Sequence, residues 1–497
     1  MTIICILPYY ERSNIHHFDS KHEKAIFVEK KIISIPIDMI NKVLIGVSFV
    51  IILSVSVSCV SGQQHKEQDF NNSKIYPAVK CEADTSLSYA LFLPPQYDKE
   101  KPSPLLILFD SHGDGLLPVN LFNAEAAKNG FIIAGSNNSK NGLPMEQTTA
   151  IYHNMLTDLT GRFNIEKRAI YLCGFSGGSR VAGAAAITEG GVAGVVGCGA
   201  GLPNTNQKPV SAFSYLAVVG NQDFNFTEMK QLDESLDQAG FQHHLLVFDG
   251  IHQWPPKELI PDIFTWLRFD AMRQKAIPVE RNEINLFIEQ NDKLASAYAN
   301  EGKLPMQLEI YIKMQHYLQE LTDLAPLQAE IKRLSTEKQV IEYNKQQKGL
   351  LDLEQKLQGE YLPQIPIQSI EWWTKQTSQL RSLSEMQGEP GLNQVYKRVL
   401  GSLSMSSYMY STNALKQGDL FAAGRFIEIY RLVDPPNAEH RYMAAQLAAL
   451  NHNPDEMFSA LQQAFDLGFK DVRRLQSDPD FAPYQQDEKF KKLLRNK

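Results

Sequence analysis

Between about residues 76 and 275, short apolar runs alternate with longer amphipathic stretches. The runs at 87–93, 105–110, 131–134, 169–173, 192–197, 215–219 and 244–248 have strand length and predict strands. The stretches between them, at 121–129, 148–163, 179–188, 225–239 and 257–271, predict helices. Run 105–110 is almost continuously apolar, as a parallel strand covered on both faces must be. Strands alternating with helices imply a parallel sheet between helical layers. Sites on such sheets lie at the carboxyl ends of the strands. Beyond about residue 280 the strand signal fades. Leu318, Leu321, Leu324, Ile331 and Leu334 recur at helical spacing, as do Leu350, Leu353 and Leu357. Pro326 and Gly349 interrupt the pattern, so it predicts a packed helical hairpin rather than a long coiled coil.

Near the C-terminus Ala414, Ile427 and Tyr430 recur 34 residues later as Ala448, Leu461 and Ala464. Small residues at Ala414 and Ala448 let paired helices approach, and Asp434-Pro435-Pro436 and Asn453-Pro454 mark helix boundaries. The period resembles that of tetratricopeptide repeats, and the tail from Leu475 to Leu493 resembles the ending common after such repeats. Two copies are too few for a stable array, so upstream helices are expected to complete the stack. Repeat surfaces of this kind imply a peptide or protein partner, with a plain helical scaffold as the alternative.

Composition narrows the class. The 497 residues are 43% hydrophobic and 21% charged, with a net charge of −7, which is ordinary for globular protein. No basic patch argues for nucleic acid. Five widely separated cysteines give neither metal-ligand spacing nor a disulfide framework. Cys173 and Cys198 lie in apolar runs and read as core residues.

The N-terminus carries an apolar run at 43–57 preceded by Lys42, short for a membrane span and suited to a signal h-region. Ser56-Val57-Ser58-Cys59 resembles a bacterial lipobox, although Ser56 stands where an aliphatic residue is usual. That resemblance implies lipidation at Cys59 and a site on the bacterial cell envelope. Cleavage after Gly62 and release to the periplasm is the alternative. Residues 1–38 fit neither an n-region nor a domain and read as a non-native leader, with synthesis starting at Met39. The expected divisions are therefore leader 1–38, signal 39–59, tether 60–75, an α/β domain at 76–275, a helical linker at 276–400 and helical repeats at 401–497.

The chemistry concentrates after run 169–173, in Gly174-Phe175-Ser176-Gly177-Gly178. A G-x-S-x-G sequence between a strand and a helix puts the serine on a sharp turn with its hydroxyl exposed. The helix N-terminus that follows points free N–H groups toward it. An acid and a histidine follow, each just past a strand: Asp223 after run 215–219 and His252 after run 244–248. Asp249 and Glu228 are rival acids, and His112, His243 and His244 are rival bases. The order Ser176, Asp223, His252 is preferred because an acid from a neighbouring strand end is the usual arrangement. Loop Ser111-His112-Gly113-Asp114-Gly115 stands where one oxyanion donor is expected, at Gly113, with Gly177 supplying the other. His112 and Trp254 are expected to line the substrate pocket. No cofactor or metal is required.

These motifs, with Leu93-Pro94-Pro95-Gln96-Tyr97 and Gly250-Ile251-His252-Gln253-Trp254-Pro255, resemble bacterial α/β-hydrolases of the esterase, dienelactone hydrolase and polyhydroxybutyrate depolymerase type. The resemblance covers about two-fifths of the chain. It implies an α/β-hydrolase fold, here followed by an all-α, tetratricopeptide-like region. It also implies Ser176 as nucleophile, His252 as base and Asp223 as orienting acid, acting on a carboxylic ester. The alternatives are a serine peptidase of the same fold and a catalytically inactive binding or assembly lipoprotein. The segment 199–211 is short, so the expected site has no large lid and lies open.

Overall fold

The computed structural model describes residues 70–495, apart from 204–206, 387, 389 and 390. The leader, the signal segment with Cys59 and the tether up to residue 69 lie outside the described residues. Strands β1 (Ile75–Lys80), β2 (Ser88–Phe92), β3 (Ser103–Phe109), β4 (Ile132–Ser136), β5 (Ile165–Phe175), β6 (Gly194–Cys198), β7 (Ser214–Gly220) and β8 (His243–Phe248) form one sheet. Its order is β1-β2-β4-β3-β5-β6-β7-β8. β1 with β2 and β2 with β4 run antiparallel, and every other neighbouring pair is parallel. Helices α1 (Leu116–Asn129), α2 (Met145–Arg162), α3 (Gly177–Thr188), α4 (Phe226–Gln238) and α5 (Ile260–Arg273) alternate with the strands. This is the mostly parallel, helix-covered sheet of the α/β-hydrolase fold, and an all-helical region follows it.

The strand period of two divides the apolar residues between two cores. Leu106 and Leu108 of β3 join Val119, Phe122 and Phe264 of α1 and α5 on one face. Leu105, Ile107 and Phe109 join Ile151, Met155 and Ala182 of α2 and α3 on the other. β1 escapes the hydrophobic pattern because it is an edge strand, carrying Pro77 and burying only one of its six residues. Residues 70–75, read as the end of a tether, belong to the folded domain. Phe70 already packs on Tyr76 and Phe163, at 5.1 and 5.5 Å, and Ser73 N–H donates to Leu93 O at 2.8 Å.

The helical region comprises α6 (Arg281–Asn300), α7 (Leu304–Leu318), α8 (Ala325–Ser335), α9 (Lys338–Tyr361), α10 (Ile370–Ser384), α11 (Leu392–Gln417), α12 (Leu420–Val433), α13 (Glu439–Leu450), α14 (Pro454–Asp466), α15 (Val472–Ser477) and α16 (Glu488–Arg495). Among the described residues no helix is long and apolar enough to cross a membrane. The expected boundary at residue 275 is not a packing boundary. Ile284, Phe287, Met314, Tyr317 and Leu318 of α6 and α7 belong to the same core as β3 and α5. Tyr317 stacks on Phe287 at 5.3 Å and meets Trp266 edge-on at 5.1 Å. The ladder of leucines is split among α7, the turn after it, α8 and the 24-residue α9, so three helices replace the single hairpin. In the last third α11 with α12 and α13 with α14 form successive helix pairs. Asp419 and Asn453 cap the second helix of each pair through their side chains.

At the seam between β8 and α7, His244 Nδ1 lies 3.1 Å from His316 Nδ1, so one of the two nitrogens must be unprotonated. Burial holds His244 well below the usual histidine range, aided by His316 and Lys313, and burial lowers His316 as well. His243 behaves oppositely: burial opposes its charge, but Asp233, at 3.2 Å, raises its pKa. A depressed histidine binds fewer protons in the folded chain, so its stability contribution is lost as pH falls below the unfolded value of about 6.5. The raised one gains stability in the same window. His244 and His316 therefore each contribute to a fall in the melting midpoint between pH 7 and 5.5. The fall is smaller in His316→Asn, as thermal unfolding at both pH values will show.

Candidate active site

The turn after β5 is strained where it carries the serine. Ser176 has φ 54° and ψ −117°, a region that residues with a side chain rarely occupy. Close approach on both sides holds it there. A methyl on Gly174 would come within 2.1 Å of Gly178 O, and one on Gly178 within 2.0 Å of Phe109 O. Ser176 N–H donates to Cys198 O at 2.8 Å, tying the turn to β6. The hydroxyl thus stands at the carboxyl edge of the sheet, at the mouth of α3.

The structure brings Ser176, His252 and Asp223 together. Ser176 Oγ is 2.9 Å from His252 Nε2, and His252 Nδ1 is 2.8 and 2.9 Å from the two carboxylate oxygens of Asp223. With Nδ1–H donated to the carboxylate, Nε2 is left as an acceptor for the serine proton. Asp223 is wholly buried and also accepts from Asn225 N–H at 2.8 Å. The imidazole is clasped between Phe175 and Phe224, whose rings lie 4.7 and 4.2 Å away. The rivals are engaged elsewhere. Glu228 pairs with Arg180 at 2.7 Å, Asp249 is exposed beside Gln222, and His243 and His244 are buried in the α7 seam.

The loop after β3 differs from expectation. Gly113 N–H closes a turn on Asp110 O at 3.2 Å, and His112 N–H donates to Asp110 Oδ1 at 2.8 Å. In this structure the Gly113 amide is thus engaged within its own loop. Asp114 is exposed and accepts from Leu117 N–H at 3.2 Å, at the start of α1. Gly177, as the first residue of α3, has no acceptor for its amide within the helix. Asn141, from the loop before α2, lies against it: a methyl on Gly177 would overlap Asn141 Oδ1 at 1.7 Å. Trp254 is a packing residue rather than a pocket wall. It rests on Phe122 and Phe175, and its indole N–H donates to Asp110 Oδ2 at 2.9 Å. Burial works against the Asp110 charge, yet hydrogen bonds from His112 and Trp254 keep its pKa below the ordinary carboxylate range. His112 does line the cavity, with its pKa raised chiefly by Asp110.

Nor is the site open. Ser176, His252, His112 and Asn141 form the floor of a cavity of about 840 Å³ whose roof comes from the helical region. Lys397, Gly401, Ser404 and Tyr408 lie three or four residues apart on α11 and present one face to it. Arg381 of α10, Arg474 of α15 and the turn after α12 close the sides. Chain from beyond residue 380 does the covering.

A buried polar contact fastens roof to floor. Arg398 of α11 donates from Nε to Glu354 of α9 at 2.6 Å and from Nη1 to Asn221 O at 2.7 Å. Asn221 lies two residues before Asp223. Both side chains of the ion pair are buried, at 3% and 0% exposure, and Arg398 also covers the Phe226 ring at 4.5 Å. Burial raises the Glu354 pKa, against the pull of Arg398. One turn along, Gly401 sits on Phe224, where a methyl would meet Phe224 Cβ at 3.2 Å. Sequence reasoning missed Arg398, Gly401, Phe224 and Asn141, since no motif or periodicity marks them.

No family model and no curated protein matches the chain. Among solved structures it is similar to an S-formylglutathione hydrolase from Staphylococcus aureus, at 14% identity over 40% of this chain and 98% of that one, with a TM-score of 0.33. It is similar to a feruloyl esterase module from Clostridium thermocellum, at 13% identity over 38% and 84%, with a TM-score of 0.30. It is also similar to an esterase from Pyrobaculum calidifontis, at 12% identity over 41% and 86%, with a TM-score of 0.32.

Removing one member of a buried ion pair strands the other. Arg398→Met is expected to destabilise the protein by about 3–5 kcal/mol. The double variant Arg398→Met/Glu354→Gln should recover most of that loss, as urea midpoints of the two will show.

Proposed function

We propose that the protein is a serine hydrolase that cleaves carboxylic esters through an acyl-enzyme. The observation that carries this reading is the continuous hydrogen-bonded array from Ser176 Oγ through His252 to buried Asp223. A serine hydroxyl is a weak nucleophile at neutral pH. His252 Nε2 takes its proton as Oγ attacks the ester carbonyl, and returns that proton to the departing alkoxide. Asp223 keeps Nδ1 protonated and stabilises the imidazolium. Gly177 N–H, at the positive end of α3, faces the oxyanion, and Asn141 lies beside it. Water then repeats the cycle on the acyl-enzyme with the same base.

The helical region takes part in this reading as the roof of the substrate cavity, in contact with the catalytic floor of its own chain. Envelope anchoring through Cys59 is a separate proposal resting on the signal-like segment alone. Metabolic labelling with palmitate should mark the wild type and not Cys59→Ala. Labelling of both would place the acyl group elsewhere.

A fluorophosphonate probe is expected to label the wild type and leave Ser176→Ala unmarked. Asp223→Asn should lower kcat for p-nitrophenyl butyrate by about 10⁴-fold, by presenting the wrong imidazole tautomer. A wild type that neither labels nor turns over would overturn the proposal.

A further inference from the structure

The roof of the cavity carries charge that the floor does not answer. Its wall includes three cations, Arg381, Lys397 and Arg474, and two carboxylates, Asp434 and Glu439. Arg474 is neutralised by Glu439 in a two-pronged contact at 2.6 and 3.0 Å. Asp434 is held by uncharged donors, Ser404 Oγ at 2.8 Å and Asn437 Nδ2 at 3.0 Å. Among the described residues, no carboxylate lies within 4.0 Å of Arg381 or Lys397. Arg381 spends one nitrogen on Leu432 O at 2.6 Å, and Lys397 reaches only the neutral Gln222 Oε1 at 3.2 Å. Gln222 adjoins Asp223, so this ammonium hangs over the edge of the reacting centre. Among the described residues of the roof, two free cations against one carboxylate leave one positive charge in excess.

Between these charges the surface is apolar. Leu400, Met405, Phe224 and Ile251 line the cavity, and Tyr408 meets Tyr430 edge-to-face at 6.3 Å. A ligand that satisfies this wall has an apolar or aromatic body and one negative charge. A phosphate dianion would overcompensate the wall, and neither cation stands at a helix N-terminus where backbone amides would help to cradle it.

Resting on the hydrolase reading above, we infer that the substrates are esters bearing a carboxylate remote from the scissile bond, and that Lys397, seconded by Arg381, binds that carboxylate. Such contacts are charge-assisted hydrogen bonds, stronger than neutral ones and weakened by salt at a partly exposed site. The helical region thereby sets specificity, and its α11 is part of the substrate site.

Two matched pairs test this, one for each side of the ester. p-Nitrophenyl hemisuccinate is compared with p-nitrophenyl butyrate, and 4-acetoxybenzoate with its methyl ester. In at least one pair the wild type should favour the carboxylate by about tenfold or more in kcat/KM. That preference should shrink in 0.5 M NaCl, fall about tenfold in Lys397→Gln and invert in Lys397→Glu. Lys397 is exposed, so its variants fold even where Arg381→Gln, which loses the Leu432 contact, does not. Turnover of the neutral esters with no carboxylate preference in either pair, or with a preference that survives Lys397→Gln, overturns the inference while leaving the hydrolase intact. Absence of all turnover overturns the hydrolase reading instead. Calorimetry on Ser176→Ala then still decides the binding question. Monomethyl succinate should bind more tightly than dimethyl succinate, and lose that advantage when Lys397→Gln is added. Equal binding of the two sinks the inference.

Discussion

The molecule depends on one buried guanidinium. Arg398 reaches from the middle of a helical region to the backbone of the loop that carries Asp223, and a wholly buried Glu354 holds it there. A buried ion pair of this kind adds little net stability against an apolar substitute, but it penalises every arrangement in which the partners separate. Its value here is registry. It sets the height of α11 above the sheet, and with it the contact of Gly401 on Phe224 and of Phe224 on the His252 ring. Asp223, His252 and the roof are thus linked through the same contact.

Seen this way, the two halves of the chain are not a catalytic domain and an appendage. The core around α5 is completed by Phe287 and Tyr317, which come after the last strand. The cavity is completed by residues later still. The helix pairs of the last third are unequal, and the inequality is informative. α11 is twice as long as α13, and its additional N-terminal turns are the ones that carry Lys397, Arg398 and Gly401. The period of 34 covers only the part of α11 that packs on α12. The part outside the period is the part that meets the sheet domain.

What was legible in the sequence follows from this. Buried parallel strands announce themselves as apolar runs, and residues at their ends can be placed without knowing anything distant. Ser176, Asp223 and His252 are of that kind. β1 was hidden because an edge strand buries little. The turn at Gly113 was not foreseen because Asp110, a residue with its own hydrogen-bonding habits, captures the local amides. Trp254 was read as a wall because its neighbours in sequence suggest nothing of Asp110 or Phe122, which fix it from other elements. The roof was illegible in principle. Lys397 and Arg381 are unremarkable surface-type residues on amphipathic helices, and only the path of the chain turns them toward the serine.

That path orders events in time as well as in space. Translation delivers Ser176, Asp223 and His252 well before Arg381, Lys397 and Arg474. A nascent chain that has folded only its sheet would hold the three as an uncovered dish, with the acid loop unpinned and the α5 core exposed to water. The cavity is enclosed only once residues 381–474 have been made. A ribosome that stops before them therefore yields a chain whose Ser176 has no roof above it.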